Sequence, residues 1–159
     1  MKPIFAALIA TMLPLTLAAN AQEQPKSSGQ GTAPQTAAEP YQPGLGEIMA
    51  LQQMRHTKLW FAGRAGNWPL ADYEIAELNE GFDDVNKLLG GDTVEKEVGA
   101  QIAALQKVID GKDRAAFARA FDRLTAGCNS CHHQLERGFI HIRRPTTLPY
   151  SDQSFAIQH

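Results

Sequence analysis

Cysteine is scarce in this chain, and the scarcity narrows its chemistry at once. Two cysteines in 159 residues cannot build a disulfide framework or a four-cysteine zinc site, so whatever they do must be done by one pair. There is no excess of one charge: 15 Lys and Arg face 17 Asp and Glu, for a formal net charge of -2. That balance creates no single-sign field to steer the chain onto nucleic acid or an anionic membrane face, and no basic cluster or recognition-helix signature is present. A nucleic-acid partner is excluded on these grounds. Also missing is any stretch that alternates polar and apolar residues for long enough to demand a sheet.

Long hydrophobic runs are confined to the N-terminus. Lys2 precedes an apolar run from Ile4 to Ala19, and Ala19-Asn20-Ala21 supplies the small residues a signal peptidase reads. Residues 1–21 therefore read as a secretory signal peptide, cleaved after Ala21. The run is short for a spanning helix and is interrupted by Pro14, so the expectation is export out of the cytosol as a soluble protein without stable membrane insertion. Residues 22–44 are rich in Pro, Gln, Ser and Gly and have no periodic apolar residues to bury, which predicts a disordered spacer.

Helical periodicity occupies the rest. Leu45, Met49, Gln52, His56 and Leu59 share one helix face, ending near Gly63. A second helix opens near Pro69 and carries Leu70, Tyr73, Leu78, Phe82, Val85 and Leu89 before Gly90-Gly91. A short, plain third helix, capped by Asp92 or Thr93, runs through Val94, Val98, Ile102, Leu105 and Ile109 to Gly111. The fourth is capped by Asp113 and carries Phe117, Phe121, Leu124, Cys128, Cys131, Leu135 and Phe139. Such stripes bury one another in an all-α antiparallel four-helix bundle over residues 45–144, with the tail 145–159 packing back through Pro149, Tyr150 and Phe155.

The strongest signal is Cys128-Asn129-Ser130-Cys131-His132. The spacing C-x-x-C-H is the attachment site of a c-type haem: two thiols on successive turns add to the vinyl groups, and the adjacent imidazole reaches the iron. Cys128 and Cys131 are thus expected to form thioether links to one covalent haem c, with His132 as the proximal ligand to iron. A thioredoxin-like dithiol belongs at a helix start after a strand, whereas this pair lies inside a helical pattern. Zinc would need two further ligands, and a structural disulfide would leave His132 unexplained.

Because a bundle sets its first helix beside its last, Met49, Gln52 and His56 form the natural cover for the other haem face. Met49 as sixth ligand would raise the reduction potential and favour electron transfer; His56 would lower it, and an apolar cover would leave an open site. All three arrangements are compatible with the spacing. His56 and Gln52 could alternatively bond a propionate. Trp60, Phe61, Trp68 and Tyr73 are expected to wall the core near the porphyrin edge.

On these residues the chain resembles the class II c-type cytochromes, the cytochrome c prime-like family, over roughly Leu45 to Arg144. The features that carry the resemblance are the Cys128–His132 motif in the last helix, the Met49–Gln52 and His56–Gly63 segments, Asn67-Trp68, and Gly81 to Asp84. Within that family it looks like a branch of exported monohaem proteins, distinguished by its Trp-rich first loop and the tail after Gly138. The resemblance implies that the first helix supplies the distal position, which falls on Met49. It also implies a periplasmic location, electron transfer or binding of nitric oxide or carbon monoxide, and room for a homodimer. The leading expectation is a non-enzymatic electron-transfer cytochrome with a redox protein partner, and the first alternative is a five-coordinate gas-binding haem protein. A peroxidase would want an arginine beside His56 on the same face, which is lacking. A haem-bearing subunit of a larger complex is a further alternative.

Overall fold

The computed structural model describes residues 40–148 and 150–157. The expected signal peptide and most of the expected spacer lie outside the described residues. Among those described there are four α-helices and no strand: α1, Leu45–Ala65; α2, Trp68–Leu89; α3, Ala100–Asp110; and α4, Arg114–Gln134.

Local chemistry sets each helix end. Glu47 turns back to accept from the Gly44 N–H at 2.9 Å, satisfying one free donor at the start of α1. Gly66 ends the helix in the left-handed region at φ 73°, and its N–H reaches the Gly63 carbonyl at 3.1 Å. Asn67 then caps α2 by accepting from Leu70 N–H, with Pro69 in the first turn. Gly66 and Asn67 are the whole connection, so α1 and α2 form a tight helical hairpin. Asp113 caps α4 through both Ala115 and Ala116 N–H groups, at 2.9 and 3.0 Å.

The third segment is not plain. Neither Asp92 nor Thr93 caps it by its side chain; Asn86 of α2 reaches across to accept from Val94 N–H at 2.9 Å. The chain then makes a π-helical turn over Glu95–Gly99 before α3 proper begins. The apolar step of four from Val94 to Val98 is common to both helix types, so side-chain period alone could not reveal it.

Phe117, Phe121, Leu59, Ile75, Leu105 and Leu124 lie at the centre of the core. Phe117 fills the contact between α1 and α4, where a methyl group at Gly63 would overlap its ring. Trp60 packs on Phe121 and Phe117 at ring-centre distances of 5.0 and 6.1 Å, and Trp68 meets Phe117 edge-on. The tail returns to this region: Phe155 is buried against Phe61 at 5.8 Å, and Asn67 donates to its carbonyl. Residue Phe139, expected on the α4 stripe, is instead 80% exposed and lies beyond the helix.

Candidate functional site

A cavity of about 480 Å³ opens between the helices, within the range of about 300–1,000 Å³ usual for small-molecule and cofactor sites. Its walls are largely apolar, with Leu78, Phe82 and Val85 from α2, Val94 and Val98 from the third segment, and Leu124 from α4. Cys128, Cys131 and His132 line it from α4, and Met49, Gln52 and His56 line it from α1. The residues singled out on two helices by spacing therefore meet in one place. By contrast, Trp60, Phe61, Trp68 and Tyr73 do not line the cavity. The first three do wall the core, at the Phe117 and Phe155 aromatic contacts and away from the cavity, and Tyr73 is exposed, which corrects only the expected placement of these rings beside the porphyrin.

His132 is oriented by backbone. Its Nδ1 lies 2.9 Å from the Ile140 carbonyl, and a carbonyl can only accept, so Nδ1 carries the proton and donates. The lone pair is thereby left on Nε2, the tautomer needed for metal ligation. Ile140 belongs to residues 137–144, a strap that leaves α4 and folds back along it. Glu136 makes the reversal in the left-handed region at φ 58°, and Arg137 N–H then bonds the His132 carbonyl at 2.6 Å. Asn129 holds the strap from the side: its Nδ2 donates to the Ile142 carbonyl at 2.8 Å and its Oδ1 accepts from Ile142 N–H at 2.7 Å. Further along, Arg144 makes a two-pronged ion pair with Asp122 and covers the Trp60 ring.

Both cysteines carry free thiols. Burial, reinforced by the neighbouring Cys131, pushes the Cys128 thiol up to about 12. Cys131 is also raised, by burial first and then by the Glu97 carboxylate. Both remain protonated at neutral pH, the opposite of a redox dithiol, whose attacking thiol is held low. Among the described residues no group of three His, Cys, Asp or Glu side chains could hold a metal ion, so a zinc site of that kind is not built.

The α1 side divides into committed and uncommitted groups. Gln52 is buried, donates from Nε2 to the Leu78 carbonyl at 2.6 Å, and accepts from Arg55 Nη1 at 2.9 Å. Arg55 in turn pairs with Glu77 at 2.7 Å. The amide thus ties α1 to α2. His56 is 4% exposed, and its Nε2 lies 2.8 Å from Thr125 Oγ1. The hydroxyl hydrogen of Thr125 goes to the Phe121 carbonyl at 3.0 Å, so His56 Nε2 must be the donor to that oxygen. Burial lowers the His56 pKa to about 4, keeping the ring neutral. Met49, half-buried on the cavity wall, has no competing polar bond.

Sequence reasoning missed Asn129, Thr125 and the Ile140 carbonyl. Asn129 stood inside the motif and could have been singled out as a short side chain that both donates and accepts. A backbone carbonyl leaves no mark on residue type. Arg137 also lines the cavity.

Comparison with protein-family models, curated proteins and solved structures returns no match. No described helix is long and apolar enough to cross a membrane.

Proposed function

We propose that this chain is an exported monohaem c-type cytochrome of class II type that transfers electrons in the periplasm. One observation carries the reading: the two thiols of C-x-x-C, the adjacent imidazole with Nε2 free, and a thioether from α1 all line the same apolar cavity. The residues fit the group in kind. Cys128 and Cys131 would hold haem c through thioethers, His132 Nε2 would ligate the iron, and Met49 would be the sixth ligand. Haem, when bound, supplies an iron that cycles by one electron.

The chain's own residues do the rest. Leu78, Phe82, Val85 and Leu124 exclude water, and Arg137 offers a cation to a propionate. Met49 is preferred over His56 because its thioether lines the cavity with no competing bond, whereas the His56 ring is packed at 4.4 Å on Phe121 and, with Nε2–H given to Thr125, has only Nδ1 to offer. The partner is a redox protein of the same compartment.

Absorption spectra of the purified exported protein, ferric and ferrous and with carbon monoxide, test the reading. A pyridine haemochrome of the thioether type, low-spin ferric iron and little response to carbon monoxide are expected. A haem extractable into acidified acetone, or none, would sink the cytochrome assignment. Immediate carbon monoxide binding to high-spin iron would replace electron transfer by gas binding and return Met49 to core packing.

A further inference from the structure

We infer that Asn129, inside the C-x-x-C-H motif, is a positioning residue that latches the 137–144 strap and thereby sets the hydrogen bond on His132. The contacts between strap and helix run in reverse register: His132 meets Ile140, Asn129 meets Ile142, and Asp122 meets Arg144. Asn129 gives the Ile142 backbone both bonds that a neighbouring strand would give, at 2.8 and 2.7 Å. Only His141 separates Ile142 from Ile140, whose carbonyl receives the His132 proton, so fixing one peptide fixes the other. Asparagine is specific here: Asp has no donor for the Ile142 carbonyl, and Gln carries the amide one carbon too far.

The consequence rests on the proposed haem ligation. Donation from Nδ1 to a carbonyl raises the basicity of the imidazole and favours the ferric state, so loosening the strap raises the reduction potential. The latch itself stands independently of haem.

Asn129→Leu and Asn129→Ala, compared with wild type as purified, test both levels. Hydrogen exchange at the Ile142 N–H reads the latch, and ring ¹⁵N shifts read the His132 tautomer with or without haem. In the holoprotein the potential reads the consequence. Both variants should keep the covalent haemochrome, expose Ile142 N–H to exchange at least tenfold faster, and move the one-electron equilibrium about tenfold toward ferrous, or about 59 mV. Asn129→Leu preserves side-chain size while removing both the donor and the acceptor, so it keeps the experiment readable if the alanine variant folds poorly. Unchanged Ile142 exchange would overturn the latch. Faster exchange with an unchanged potential would overturn the effect on His132. If wild type lacks covalent haem the functional reading fails, and an Nδ1–H tautomer lost in both variants would still uphold the effect on His132, while an unaltered tautomer would overturn it.

Discussion

His56 is held neutral inside the bundle, and that has a measurable cost in acid. Its folded pKa, about 4, lies below the ordinary 6.5, so the unfolded chain binds the extra proton first. Stability is lost as pH falls from about 6.5 through 4, by on the order of 3 kcal/mol in total. Urea unfolding at several pH values should show this slope, and His56→Gln should flatten it. Glu74 acts in the opposite sense. It is 2% exposed, its Oε1 has no hydrogen-bond partner, and Lys58 Nζ stands 3.7 Å away. Burial raises its pKa above the ordinary value of 4.5, so its contribution is full below that value and is lost as pH rises through the folded pKa. Glu74→Gln should therefore gain about 1 kcal/mol at neutral pH and nothing near pH 3, measured by the same titration. On the proposed haem ligation, Met49→Ala should convert low-spin ferric iron to high-spin and open it to carbon monoxide, read in the absorption spectrum.

Among the elements, the contact of α1 with α4 depends on a missing side chain. A methyl group at Gly63 would overlap the Phe117 ring, so Gly63→Ala should destabilise the fold by about 1–3 kcal/mol in denaturant unfolding. Helix starts were legible at Pro69 and Asp113, but not at Asp92-Thr93, where Asn86 of α2 supplies the acceptor for Val94 N–H. Helix ends were legible where glycine takes the left-handed conformation, as at Gly90. The end of α4 was not, because the apolar steps continue past it to Phe139 while the reversal falls on Glu136, a residue with no intrinsic preference for positive φ. The π turn was hidden for a related reason: its apolar spacing is also a helical spacing. Gln52 was legible as a cavity residue, but its bonds to Leu78 and Arg55 depend on the pairing of helices.

For the molecule as a whole, the stripe on α1 and the motif on α4 were each visible, and the bundle brings them together around one cavity. What could not be read was the part supplied by backbone, the carbonyl of Ile140 and the peptide of Ile142, since these depend on where the strap falls. Cys131→Ala should leave the chain largely without stable covalent haem, which denaturing gel electrophoresis with haem staining will report.

The two-residue connection at Gly66 and Asn67 also bears on how the protein is made. Contacts between α1 and α2 close a very short loop, whereas those between α1 and α4 span most of the domain. Local pairings form soonest, so the hairpin carrying Met49 can assemble before α4 docks. The thiols would then meet their cofactor on a helix still free to approach, and closure of the bundle would follow attachment.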